Sequence, residues 1–359
     1  MSNRDSVWKS LSDKPTRPNN IGGQAVLEGV MMKAGARTVT SCRKEDGSIC
    51  VHDDTFVSVR QKHKILNIPI LRGVINFVEM MILSFRTLSV SAEALELDDE
   101  KDKQKKAEGK KTTTDLVMII GMVLGVALAI GLFILLPGLV SDLVSYLVYR
   151  IGSYEINETL KAVIEGASKV IIFIAYLALV SLMPDIKRTF MYHGAEHKSI
   201  ACFEAGAELT PENAKEYTRF HPRCGTSFMF VMILLGIVVG IVINNLFPSL
   251  NRFALSGIRL LILPLVVGLG YEFIMFAGKH DNAVTRILSA PGLWMQRITT
   301  KEPTEDMLEI AIISIKCALR NDFPEFKEFY ELRSWEMKDE SSESTEESNP
   351  ANADGNEDK

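Results

Sequence analysis

Apolar residues in this chain are bunched into long runs. Four of them, Leu116–Leu136, Ala162–Met183, Phe228–Phe247 and Gly257–Ala277, carry few charges. Each is long enough, or nearly so, to cross a hydrocarbon core of about 30 Å at about 1.5 Å per helical residue. The first reads as closed by Pro137-Gly138, and the amphipathic stretch 139–149 after it is too short to span. The second carries Glu165 and Lys169 one turn apart, where they can pair, and the fourth holds Pro264, Gly268 and Gly270, which predict a kink. Between 64 and 92, apolar residues at 70, 71, 74, 75, 77, 78, 81, 82, 85 and 88 face away from a narrow stripe of Arg72, Asn76, Glu79 and Arg86. That pattern predicts an amphipathic helix with a solvated stripe, lying in a membrane surface, dipping into it, or packed on other helices.

Other stretches follow different periods. Val39, Ile49, Val51, Phe56, Val57 and Val59 flank Asp46-Gly47, a hairpin turn signal, so 21–60 reads as a few β-strands. Gly22-Gly23 marks a turn or a close backbone approach. Glu305–Arg320 has Met307, Leu308, Ala311, Ile312, Ile315 and Leu319 at helical spacing. The chain divides into a disordered leader (1–19), a strand-bearing segment (20–62), the amphipathic helix (63–95) and a lysine-rich charged linker (96–113). A four-helix membrane domain (114–277) follows, with a polar motif loop at 184–227. A helical segment (278–335) and a disordered acidic tail (336–359) complete the chain. The expected fold class is a mainly α membrane protein with about four transmembrane helices, amphipathic helices and a small N-terminal β element.

Charge and cysteine usage narrow the setting. The net charge of −5 is largely the acidic tail, which gives no sign of nucleic-acid binding. Five scattered cysteines do not make a disulfide framework. The polar N-terminus lacks the apolar core of a signal peptide. Lysines 101, 103, 105, 106, 110 and 111 precede the first span. Lys187, Arg188, Lys198, Lys215, Arg219 and Arg223 lie between the second and third. Positive loops stay inside, so both termini and the 184–227 segment are expected in the cytoplasm of a multi-pass cell-membrane protein in contact with lipid.

The chemistry concentrates in that polar segment. His193 and His197 are four apart, so on a helix both imidazoles reach one ion, and Glu196 between them can activate water or orient a ligand. His-x-x-Glu-His is the reversed zinc-protease motif. Such a motif needs a downstream acidic ligand; Glu272 has the right spacing but lies inside a span, too deep to reach the pair. His221-Pro-Arg-Cys224-Gly resembles a zinc knuckle with its first cysteine replaced by histidine, and supplies nearer ligands. His193, His197, His221 and Cys224 would fill a tetrahedral shell. If one is not a ligand, a position opens and Glu196 gains a catalytic role. Glu204 and Cys202 are spare candidates, and Thr226 or Ser227 is expected to cap the third span. His52, His63 and His280 read as ordinary surface histidines.

The set GGQAVLEGVMM (22–32), LRG (71–73), HGAEHK (193–198), HPRCGTSF (221–228) and QRITTKEP (296–303) resembles the YqhQ-like family of bacterial integral membrane proteins, from about residue 20 to 320. That family is a domain of unknown function labelled a predicted metal-dependent enzyme. The resemblance implies a polytopic membrane protein and places Gln24, Glu28 and Arg72 in motif segments that fold over the site. The expectation is a zinc or other divalent-metal hydrolase acting on a membrane-associated substrate. The alternative is a non-catalytic transporter or assembly factor with a structural metal, favoured by Glu272 as an intramembrane acid.

Overall fold

The structure is a computed structural model and describes residues 21–95, 113–221, 224–279 and 283–324. The expected leader, charged linker and acidic tail lie outside these residues, as do Pro222, Arg223 and His280.

The N-terminal segment forms an antiparallel meander in the order β1 (Ile21–Val26), β2 (Gly29–Ala34), β3 (Arg37–Arg43) and β4 (Ile49–Thr55). The β3–β4 turn has Gly47 at φ +84°, and the Asp46 carboxylate accepts from the Ser48 N–H. Alternation along the strands gives the sheet two apolar faces. Val30, Met32, Val39, Ile49 and Val51 face one side, and Val26, Met31, Cys42 and Cys50 the other.

Helices cover both faces. The first is packed by Tyr192, Ala195, Ile200 and Phe203 of α6 (Pro184–Glu204) and by Met307, Leu308, Ile310 and Ile315 of α11 (Glu305–Ala318). The second is packed by Leu83 and Ala94 of α2 (Leu71–Ala94), which follows the short α1 (Val59–Lys62). The expected motif loop at 184–227 is therefore mostly helix. Pro184 starts α6, where its missing N–H costs nothing, and the sheet receives its apolar face. A second short helix, α7 (Pro211–Lys215), follows it.

Long apolar helices make up the rest. A rod runs from α3 (Thr113–Ile130) through a π turn (Gly131–Leu135) into α4 (Leu136–Gly152). Pro137 does not close the helix, because the wider π turn before it takes up the lost hydrogen bond. The rod packs along α5 (Glu158–Val180): Phe133 lies 5.8 Å from Phe173, and the Ser141 hydroxyl donates to the Lys161 carbonyl. The stretch beside the second span is thus shifted toward the C-terminus from Leu116–Leu136, and 139–149 belongs to it. Next come α8 (Gly225–Leu246) and α9 (Arg252–Lys279), which continues through Pro264. The last, α10 (Ala283–Thr299), leads back to α11. Glu165 pairs with Lys169 as expected, and also with Arg259 of α9. Five helices are long and apolar enough to cross a membrane, namely α2, Val123–Gly152, α5, Phe228–Leu246 and Phe253–Phe276. They are compatible with a multi-pass membrane protein and are one more than the expected four.

The polar stripe of α2 is mostly engaged by protein, with Arg86 still exposed. Glu79 accepts from the Ser58 hydroxyl and the Val59 N–H, Asn76 accepts from Arg60, and Arg86 pairs with Asp54. Arg72 makes a bidentate pair with Glu272 of α9 at 2.6 and 2.5 Å. Periodicity located the two faces correctly, but the sheet and α9 cover the polar one.

Glycines set the α2–α9 crossing. A Cβ on Gly268 would sit 2.4 Å from Ile70 Cγ2 and 2.6 Å from the Ile70 carbonyl, and one on Gly73 would sit 2.7 Å from Tyr271 Cβ. Ile70 itself is held at φ +69°, a left-handed conformation rare for a β-branched residue. Gly268→Ala should lower the unfolding midpoint of detergent-solubilised protein, at the roughly 1–3 kcal/mol cost of overpacking. Gly236→Ala, with no atom within 4 Å of its Cβ, should leave the midpoint unchanged or raise it.

Candidate metal centre

Three segments meet at the end of α6. His193 and His197 project from the middle of that helix, their rings 4.4 Å apart. Cys224 is the N-cap residue of α8, in extended conformation at φ −68°, ψ 143°. The expected cap by Thr226 or Ser227 is corrected: α8 begins at Gly225, which places both inside its first turn. The third segment is the end of α10 and the α10–α11 connection, which passes α6 at His193 and Gly194.

Each imidazole is fixed by a backbone carbonyl. His193 Nδ1 is 2.8 Å from the Thr299 carbonyl, and His197 Nδ1 is 2.6 Å from the Arg219 carbonyl. A carbonyl only accepts, so each Nδ1 carries the proton and each Nε2 is left as a lone pair. Both lone pairs turn toward Cys224, whose sulfur is 3.3 Å from His193 Nε2. Among the described residues, His193, His197 and Cys224 have ligand atoms all within 4.8 Å of one another. Two imidazoles held by Nδ1–carbonyl bonds beside a thiol are what a borderline-soft cation such as zinc requires.

Local electrostatics suit that role. Burial holds the His197 imidazole below its ordinary range, against the opposing pull of Cys224. Burial alone would raise the Cys224 thiol, but the His197 imidazole and the Thr226 hydroxyl outweigh it, and the thiol lies below its usual range. Both ligands are thus shifted toward the forms that bind metal. Glu196 is buried, and burial pushes its carboxyl up to about 7, against the pull of His193 and a hydrogen bond from the Gly23 N–H.

His221 is adjacent without converging. Its ring is 5.5 Å from that of His197, while its Nε2 lies 3.7 Å from a carboxylate oxygen of Glu204. Buried Gln296 clamps its backbone: the His221 N–H donates to the Gln296 carboxamide, and Gln296 Nε2 donates to the His221 carbonyl, each at 2.8 Å. The expected four-ligand shell therefore closes to three, with His221 and Glu204 as a neighbouring pair. Cys202 is buried in the core between α6 and the sheet.

The motif residues expected to fold over the site have separate places. Gln24 points to the opposite face of the sheet and accepts from the Ser84 hydroxyl of α2. Glu28, at φ +48° in the β1–β2 turn, binds Arg188 and Tyr192 and so ties the hairpin to α6. Arg72 and Glu272 hold α2 on α9 and take no part in the cluster.

Gly23 makes the close backbone approach expected of it, and Gly194, Lys198 and Glu302 build the site without having been singled out by the sequence. A Cβ on Gly23 would lie 2.9 Å from Glu196 Cγ, so only glycine lets β1 pass over that side chain. A Cβ on Gly194 would be 2.0 Å from the Lys301 carbonyl, so only glycine admits the chain that follows Thr299 out of α10. Buried Lys198 reaches the Lys215 carbonyl and Glu302, each at 3.0 Å, and Arg219 also pairs with Glu302. Their signal in the sequence is that Gly23, Gly194, Lys198, Lys301 and Glu302 fall inside the GGQ, HGAEHK and QRITTKEP segments.

Fold and cluster together define a membrane-compatible helical protein with a small sheet packed over a His–His–Cys cluster. The chain belongs to the family described as Protein of unknown function (DUF1385), which matches residues 68–321. It is 35% identical over 308 residues to the Uncharacterized protein YqhQ of Bacillus subtilis (strain 168), covering 84% of this chain and 93% of that protein. No solved structure matches. The resemblance to the YqhQ-like family is thereby borne out.

Gln296→Ala leaves both the N–H and the carbonyl of His221 without their partner in a buried setting. It should destabilise the protein by about 1–3 kcal/mol, read as a lowered denaturation midpoint.

Proposed function

We propose that the protein is a membrane-embedded, metal-dependent hydrolase. His193, His197 and Cys224 hold zinc or another divalent metal, and Glu196 is the general base. One observation carries the reading: three donors converge, while the fourth candidate, His221, faces Glu204. Three protein ligands leave a position open, the pattern of catalytic rather than structural zinc sites.

The metal, when bound, would polarise an acyl or phosphoryl oxygen and acidify a bound water. The chain's own groups have defined tasks. The Thr299 and Arg219 carbonyls keep the two imidazoles in the tautomer that offers Nε2. The Gly23 N–H fixes the Glu196 carboxylate, which would take a proton from the attacking water. The α8 helix starts just after its N-cap Cys224, so its N-terminal dipole would favour a negatively charged substrate group at the cluster.

Cys224 lies four residues before Phe228, where the apolar part of α8 starts, so the centre sits about 6 Å, at about 1.5 Å per residue, from that edge. That position favours a membrane-associated substrate. The positive segments before α3 and between α5 and α8 favour a cytoplasmic location for the site and both termini. The alternative, a transporter or assembly factor with a structural metal, drew on Glu272 as an unexplained intramembrane acid. Its bidentate pairing with Arg72 accounts for that carboxylate as a helix-docking group.

Metal analysis of purified protein should give about one divalent ion per chain, with the His193→Ala, His197→Ala double variant losing it. Metal-free wild-type protein would refute the proposal. Glu196→Gln should keep metal and fold but lose function by at least about 100-fold, the lower end for a general base. Unchanged function in that variant would favour the structural-metal alternative.

A further inference from the structure

Length and composition alone admit α2 as a fifth span, but its packing does not. From Glu79 to Ala94 one side of the helix is buried: Glu79, Leu83, Thr87, Ser91 and Ala94 recur at steps of three and four. That side meets the β-sheet and its flanking chain, through Leu83 and Ala94 in the apolar core, Ser84 to Gln24, Arg86 to Asp54 and Glu79 to Ser58. A crossing α2 would carry this sheet, with the charged Asp53, Asp54 and Lys33, into hydrocarbon, which disfavours charged groups and open sheet edges.

The other side of α2 is apolar and uncovered. Phe77, Val78, Met81, Ile82, Phe85 and Leu88 are between 37% and 57% exposed and form one stripe. The usual arrangement is inverted: the polar side faces protein and the apolar side faces outward. The α2 helix is seated at Gly73–Gly268 on α9, which also exposes apolar residues such as Leu261, Leu265 and Leu269. Where the two helices meet, charged and aromatic polar groups gather: Arg72 with Glu272, and Arg60 with the Tyr271 hydroxyl. Such groups are at home at the level of the headgroups. Just before α2 the sequence carries Lys62 and Lys64, which suit an anionic lipid surface.

We infer that α2 lies in the plane of the membrane, with the Phe77–Leu88 stripe bedded in the acyl chains of the leaflet beneath the sheet. It is an in-plane anchor and does not cross. The occupant of its apolar face is lipid. The chain then has four crossings, and the sheet is pressed against the bilayer on the side where the metal cluster lies. This inference rests on the membrane reading of the four other helices, and the experiment separates the two.

The test uses full-length protein in liposomes of phosphatidylglycerol and phosphatidylethanolamine, with single spin labels at Phe77, Met81, Phe85 and Leu88. Relative accessibility to oxygen and to a nickel chelate gives each label's depth. An in-plane helix predicts nearly equal depths within the acyl region for all four. A crossing helix predicts a progressive change of about 16 Å between the first and last, eleven residues at about 1.5 Å each, and that result would overturn the inference. Labels open to the nickel chelate, or shielded from both reagents as under a protein partner, would also overturn it. A label at Leu261, 82% exposed on α9, is the control. If it too lacks lipid contact, the membrane reading fails; if it alone is in lipid, only the in-plane anchor fails. In addition, cysteines replacing Glu45 and Glu93 should react with an impermeant maleimide from the same side of the membrane, and reaction from opposite sides would contradict the anchor.

Discussion

Two hydrogen bonds from imidazole Nδ1–H groups to backbone carbonyls organise this protein. Thr299 and Arg219 lie far apart in sequence, on either side of α8 and α9, yet each supplies the acceptor that aims one histidine. For those carbonyls to arrive, Gly194 must let the chain pass at Lys301, and Gly23 must let β1 pass over Glu196. The ion pairs of Lys198 and Arg219 with Glu302 fasten the same connection between α10 and α11. The sheet, α6 and the α10–α11 connection thus form one rigid frame around the ligand atoms. Rigidity of this kind is what separates a metal site from a chance gathering of histidines.

The membrane part is joined to that frame at a few points. Cys224 is both a member of the cluster and the first residue of α8. Gln296 of α10 holds the backbone just before it. Arg72–Glu272 and the Gly73–Gly268 crossing hold α2 to α9. The intramembrane acid that looked most like part of a transport path is thereby a structural partner. The group beside the two histidines of the reversed-protease motif is likewise a thiol and not the distant acid.

Much of this was legible in the sequence because it is local. Helical spacing put His193 and His197 on one face, the turn at Asp46-Gly47 announced the hairpin, and apolar runs announced the long helices. The failures share a cause. Periodicity shows that α2 has two faces but not which one meets water, since the covering groups, Gln24, Asp54 and Ser58, come from the sheet segment. The knuckle pattern brought Cys224 to the site, but whether His221 follows depends on Gln296, 75 residues later, and on Glu204. Pro137 was read as a helix end because the π turn that accommodates it has no sequence signature.

The central claim is that His193, His197 and Cys224 make a three-ligand centre with an open position. X-ray absorption at the zinc edge of the metal-loaded protein tests it most directly. The account predicts one sulfur at about 2.3 Å and two imidazole nitrogens at about 2.0 Å, with a further light-atom ligand from water, the sulfur disappearing in Cys224→Ser. A shell with three imidazoles and one sulfur would make His221 a ligand and the site structural. A shell without sulfur would contradict the centre altogether.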